Sequence, residues 1–363
     1  MQNLFKRFLL FTLSATLYIT LTAQTEVGTY QPGITESGIT YFLPTTQIRV
    51  VVTATKTYHT PGEFSEYAER YLRLKNVAQT SYNEWKIDNI ELLPYGVADK
   101  TKAYSIKLKP KTSAPLVEMT ADGRLLSINA KAIESDGVLP TSKVTKNTIK
   151  QINGNDFKTA EILSAGSISK MAELTANEIY DIRENRTLLT KGQADFMPKD
   201  GEQLRLMLEN LSMQEEGLLQ LFQGTTSEET HVFTFDITPT NEVDKLLVFN
   251  FSKYLGMIDE DDPAGQPFYM SITDLKTLPP IVENPNDKKK AKEMEDVRYN
   301  IPSRAKVRVF TDEKEYVSTT FQLAQFGRVE HLGGDLFNKK FTTHVYFSPV
   351  TGNIIKIDAA KPE

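Results

Sequence analysis

Ile48-Arg49-Val50-Val51-Val52-Thr53-Ala54-Thr55 is the stretch that decides the fold. Ile48, Val50, Val52 and Ala54 fall on one face and Arg49, Val51, Thr53 and Thr55 on the other, the period of two of a strand that buries one side. Upstream, Ile39-Thr40-Tyr41-Phe42-Leu43-Pro44 leads into it, with proline near a strand start, where no ladder donor is lost. Downstream, Thr60-Pro61-Gly62-Glu63 has the form of a capping box. Phe64, Tyr67, Ala68, Tyr71 and Leu72 then make one apolar helical face.

Strand signals resume at Tyr104, Ile106 and Leu108, and Asp122-Gly123 reads as a hairpin turn between Leu116–Met119 and Leu125–Ile128. The periodicity becomes helical between about Glu173 and Gly224. Thr175-Ala176-Asn177-Glu178 is a second capping-box pattern, Gly192 a C-terminal stop, and Asp200 the start of a partner helix ended by Gly224. With Met197-Pro198 between them, the two helices read as an antiparallel hairpin. Phe233, Phe235 and Ile237, then Leu247, Phe249 and Phe251, return to strand alternation. Pro279 to Glu295, with Lys288, Lys289 and Lys290, has no apolar period and reads as a solvated loop.

Two ordered matches suggest an internal repeat. Ile39–Pro44 resembles Val297-Arg298-Tyr299-Asn300-Ile301-Pro302, and Gly123-Arg124-Leu125-Leu126-Ser127-Ile128 resembles Gly352-Asn353-Ile354-Ile355-Lys356-Ile357. The expectation is a mainly β (α+β) protein of two related antiparallel β units separated by an antiparallel helical hairpin. The ranges are a signal peptide over 1–23, an N-terminal β unit with one short helix over 24–165, and the helical hairpin over 166–225. A middle β region over 226–285 and a C-terminal β unit over 286–363 complete the chain.

Residues 1–23 have the order of a secretory signal: Lys6 and Arg7, an apolar run from Phe8 to Leu21, then Ala23. About 14 apolar residues are too few for a spanning helix, which needs about 20. No cysteine occurs anywhere, which excludes a lipoprotein anchor, a disulfide framework and thiolate metal sites. The expected location is extracytoplasmic, in the periplasm or secreted. Removing Lys6 and Arg7 from 42 basic residues leaves 40 against 47 acidic ones, net −7, which disfavours general nucleic-acid binding.

Several stretches together resemble an uncharacterised family of exported bacterial proteins, family 4831 of the domains of unknown function, of Bacteroides type. They are Tyr41-Phe42-Leu43-Pro44 with Pro61-Gly62, Tyr67-Ala68 and Tyr71-Leu72; Glu178–Arg186; Leu218–Gly224; and Ala324-Gln325-Phe326-Gly327 with Phe341-Thr342-Thr343. The resemblance spans nearly the whole mature chain. It implies export and supplies neither an activity nor a catalytic residue.

Chemistry is hard to find in the sequence. Ser167 and Lys170 have the Ser-x-x-Lys spacing of some acyl-transfer enzymes, but no Ser-Asp-Asn or Lys-Thr-Gly partner accompanies them. No phosphate loop, nucleophile elbow or His-Glu-x-x-His is present, so no cofactor or metal is expected. Glu229 and His231 would share a strand face as two ligands without a third. Asp259–Asp262 lacks the alternation of an EF-hand and reads as a solvated turn. Tyr82, Trp85 and Tyr95 are candidates for a ligand-stacking surface, against the alternative of ordinary core aromatics. Arg186, inside the apolar stripe of the first hairpin helix, and Glu215, inside that of the second, are expected to be buried and paired, with Arg183 as the other partner for Glu215. The function these readings favour is an exported, non-catalytic binding or scaffold protein of unknown ligand, with a glycan or another cell-envelope protein as the candidate partners. An exported hydrolase acting on glycan or peptide is the alternative, and it would need carboxylates brought together by the fold.

Overall fold

The computed structural model describes residues 34–35, 38–106, 117–146, 152–281, 297–332 and 342–360. The signal segment 1–23, Lys107–Lys109, Leu116, Lys288–Lys290 and Phe341 lie outside the described residues.

The first sheet is built on β2 (Gly38–Thr60), which pairs with β3 (Tyr82–Ile106) on one side. On the other side β2 pairs with β1 (Ile34–Thr35) and, further along, with β7 (Thr225–Ile237), whose outer neighbour is β6 (Lys143–Lys146). The second sheet runs in the order β12 (Glu315–Leu332), β11 (Val297–Phe310), β10 (Gln266–Asp274), β8 (Val243–Ser252), β9 (Gly256–Ile258). The third runs β14 (Ile354–Ala360), β13 (Thr342–Phe347), β5 (Leu125–Ile128), β4 (Val117–Met119). All these pairings are antiparallel.

The alternation read at Ile48 places a core. Ile48, Val50, Val52 and Ala54 are fully buried and meet Phe268, Met270, Val307 and Val309 of the second sheet. Burying four such side chains stabilises by roughly 6–10 kcal/mol, at about 1.5–3 kcal/mol for each large one and less for alanine. Strands far apart in the chain share the third sheet, because β5 pairs with β13. The middle strands divide, β7 joining the first sheet and β8 to β10 the second.

The helices form a separate layer. A 3₁₀ turn at Ser65–Tyr67 continues into α1 (Ala68–Leu72), and α2 (Ala160–Leu163) precedes α3 (Ile168–Lys191) and α4 (Gly201–Gln223). Phe64, Leu72, Ile179, Leu218 and Phe222 make their common core. Two cap expectations are corrected. Thr60 remains in β2 and does not cap α1, since the Phe64 N–H donates to the Leu221 carbonyl at 2.7 Å and that tertiary bond fixes where the turn begins. α3 begins a full two turns before Thr175, which lies buried inside it and donates Oγ1 to the Met171 carbonyl at 2.8 Å. The actual cap is Ser167, whose Oγ accepts from the Lys170 N–H at 3.2 Å.

Candidate functional site

A long strand that must stop being regular needs an insertion, and each long hairpin carries two, the larger of them at its proline-bearing segment. Between Phe42 and Pro44 the partner on β3 jumps from Ala103 to Ala98, and between Ile301 and Ser303 the partner on β12 jumps from Arg328 to Leu323. Bulges bend a strand and re-aim its side chains. These two come together, so that Asp99, Lys100 and Lys102 from one and Gln325 from the other line a cleft of about 570 Å³ with Thr45, Gln47 and Thr240.

Within the cleft, Gln325 is a clamp. Its Oε1 accepts from the Thr46 N–H at 3.1 Å, and its Nε2 donates to the Thr46 carbonyl at 2.8 Å and the Pro239 carbonyl at 2.7 Å. Thr46 is fully buried, and its Oγ1 accepts from the Ala324 N–H at 3.1 Å and donates to the Val350 carbonyl at 3.1 Å. Asp99 accepts from the Thr101 N–H at 3.0 Å and hydroxyl at 2.6 Å and stands 3.4 Å from the Lys102 ammonium. Partial burial pushes its carboxyl up, but the Thr101 bonds and Lys102 together outweigh that and hold it below the usual aspartate value. Among the described residues lining the cleft, Asp99 is the one carboxylate.

Behind the cleft the two ends of the chain interlock. The buried Tyr41 hydroxyl donates to the Arg298 carbonyl at 3.0 Å and accepts from its N–H at 2.7 Å, and burial pushes the phenol pKa up, so it stays neutral. Asn300 Nδ2 donates to the carbonyls of Pro44 at 3.1 Å and Thr351 at 2.8 Å. Phe42 N–H donates to the Gly123 carbonyl at 2.9 Å, and Asn300 N–H to the Gly352 carbonyl at 3.1 Å. Gly123 and Gly352 both have positive φ, 90° and 72°, the region that glycine enters without a Cβ penalty. Arg124, only 4% exposed, bonds Asp122 at 2.9 Å and Asp136 at 2.6 Å and also the Pro349 carbonyl.

The aromatic candidates do not converge, which corrects the idea of a single stacking surface. Tyr82 and Trp85 are an odd number of residues apart and point to opposite faces of β3, and Tyr95 lies about 40 Å further along at about 3.3 Å per residue. Tyr82 is 44% exposed and stacks on His59 at 4.9 Å. Trp85 packs against His231 at 4.6 Å as part of the sandwich core. Tyr95 donates to Gln47 Oε1 at 2.5 Å, beside the cleft.

On the helices, Glu215 is buried and accepts from Arg183 Nε at 2.6 Å and also from Arg186. Arg186 keeps 35% of its side chain exposed, so its expected burial is corrected: a long arginine stem lets the guanidinium reach Glu215 from the edge of the seam without full burial. Glu229 Oε2 lies 3.5 Å from His231 Nε2, and Lys146 occupies the other oxygen at 3.1 Å. Among the described residues no group of three metal-ligating side chains occurs. Also among them, no helix is long and apolar enough to cross a membrane.

Sequence reasoning missed Asp99, Lys102 and Arg124 as site and interlock residues. The polar run Asp99-Lys100-Thr101-Lys102, set between strand-like segments, was the available signal for a bulge. Gln325 was visible only as part of the family resemblance.

A family model described as "Domain of unknown function (DUF4831)" matches residues 37–355, which includes both bulges, the interlock and the helical layer. No curated protein and no solved structure matches the chain.

Proposed function

The chain belongs to that family, whose description assigns no activity, and from that premise we propose an exported, non-catalytic binding or scaffold protein. The signal-like order of residues 1–23 supports removal of that segment and an extracytoplasmic place, and the lack of cysteine supports a product without a lipid anchor. We also read the two long hairpins as copies of one ancestral unit. The paired Phe42–Gly123 and Asn300–Gly352 bonds, the matching bulges and the two positive-φ glycines support this.

The observation that carries the binding reading is the cleft between the two bulges. Its backbone frame is tied together by Gln325 and Thr46, and Asp99, the one carboxylate among its described lining residues, is already bonded to Thr101 and Lys102. Hydrolysis by paired carboxylates needs a second one across the reacting bond. A preformed cleft that sets amide, hydroxyl and ammonium groups among the apolar surfaces of Val97, Ala98 and Pro239 instead suits recognition of an amphipathic ligand, a glycan or an exposed loop of another envelope protein.

The test is to incubate the full chain with neutral oligosaccharides and short peptides, following binding by thermal shift and turnover by mass spectrometry. Binding weakened by Gln47→Ala and Lys102→Ala, with the ligand recovered intact, is expected. Product formation that disappears in Asp99→Asn, or no binding at all, overturns the reading.

A further inference from the structure

We propose that the solvent face of the second sheet is a docking surface for an anionic polysaccharide. Along β11, Ala305, Val307 and Val309 are fully buried, so the alternate residues Arg304, Lys306 and Arg308 face outward. At about 3.3 Å per residue the three cations stand about 6.6 Å apart over about 13 Å.

Register decides what surrounds them. Arg304 is paired with Gln322, Lys306 lies between Thr273 and Thr320, and Arg308 lies between Ser271 and Ser318. Opposite charges across strands stabilise a sheet surface, so exposed cations are commonly met by carboxylates. Here every directly opposite residue is a neutral hydroxyl or amide. Glu315, opposite Phe310 two pairs further along, stands 3.7 Å from Arg308, and Asp274 is turned to the Ser303 hydroxyl at 2.6 Å. Arg304 and Lys306 are exposed and Arg308 is half-exposed.

The same face continues into an aromatic pair, Phe310 and Tyr269, directly opposite one another with centroids 6.1 Å apart. Lys245 stands 4.1 Å above the Tyr269 ring and Arg308 5.6 Å from the Phe310 ring, but Lys245 is paired with Asp312 at 2.6 Å and Arg308 with Glu315, so the cations without an opposing carboxylate are Arg304 and Lys306. Cations suit carboxylate or sulfate groups, hydroxyls and an amide suit sugar hydroxyls, and ring edges suit the apolar side of a pyranose. A chain of net charge −5 supplies no general attraction for polyanions, so affinity has to come from a local cluster of cations such as this strip. The inference does not depend on the cleft.

The probe is heparin, a sulfated polysaccharide, titrated into the full chain beside uncharged dextran and a single-stranded oligonucleotide of matched charge. Heparin binding is expected without dextran binding. Arg304→Gln/Lys306→Gln should weaken it about tenfold or more and lower the log–log salt slope by about 2, by counterion release. Lys75→Gln/Lys191→Gln, removing two exposed cations elsewhere, should leave binding within about twofold. Because all four positions are exposed, thermal melts of both variants should match the parent. An absence of heparin binding, an equal loss in the control variant, or oligonucleotide binding as tight as heparin overturns the proposal.

Discussion

Removing Arg183 and Arg186 together is expected to cost more than the sum of removing each alone, because both share one carboxylate. Glu215 retains 11% exposure of its side chain, whereas the arginines retain 40% and 35%. Arginines this exposed keep much of their hydration, so losing either one while the other still holds Glu215 should cost about 1 kcal/mol or less. Losing both strands a carboxylate in a site largely withdrawn from water. A fully buried orphan costs about 3–5 kcal/mol, and partial exposure puts Glu215 near the lower end, about 3. The excess over additivity is then about 1 kcal/mol or more. The measurement is urea unfolding followed at the helical circular-dichroism band for both single variants and the double, with m-values compared so that a change in midpoint reports stability. Adding Glu215→Leu to the double variant should restore about 2 kcal/mol by removing the stranded charge. Additivity within about 0.5 kcal/mol, or no recovery with leucine, refutes the shared-carboxylate account.

A Cβ at Gly96 would overlap the Pro349 carbonyl and crowd Arg124 Nη1, while one at Gly137 meets nothing within 4 Å. Gly96→Ala should therefore destabilise by about 2–3 kcal/mol in thermal melts and Gly137→Ala by less than about 0.5 kcal/mol. Burial pushes the Asp122 carboxyl up, but bonds from Thr120, Arg124 and the Ala98 N–H outweigh this and lower its pKa. Its contribution to stability is complete above the ordinary aspartate value of about 3.9 and is lost as pH falls from there through the lowered native value. Urea midpoints measured from pH 5 downward should consequently fall less steeply in Asp122→Asn than in the parent. Ser167→Ala should cost about 1 kcal/mol through the lost cap of α3, read as an earlier helix melt. Acyl transfer that depends on Ser167 would contradict its assignment as a cap.

The helical hairpin was legible because a 3.6-residue apolar stripe needs only local sequence, and Asp200 and Gly224 mark the ends of α4 by their own backbone chemistry. The start of α3 was misread because Thr175 and Glu178 satisfy the capping pattern as well as Ser167 does, and only burial of Thr175 removes the choice. The cleft was almost invisible for a different reason. Asp99 and Gln325 are separated by most of the chain, and each reaches the cleft only because its strand inserts residues opposite a proline-bearing segment.

By itself the sequence determined the helical hairpin, the strand alternation at several points, the inward face of β2 and the turns at Gly123 and Gly352, all properties of residues within a few positions of one another. Tertiary structure alone decided that β5 pairs with β13, so that strands more than two hundred residues apart share a sheet. It also decided that Arg124 reaches the Pro349 carbonyl, that Trp85 turns into the sandwich, and that Arg304, Lys306 and Arg308 face hydroxyls rather than carboxylates. Strand alternation specifies which side of a strand is buried but not which strand lies beside it. Neighbours are chosen by the sum of many weak contacts across the whole molecule, and no local pattern encodes that sum.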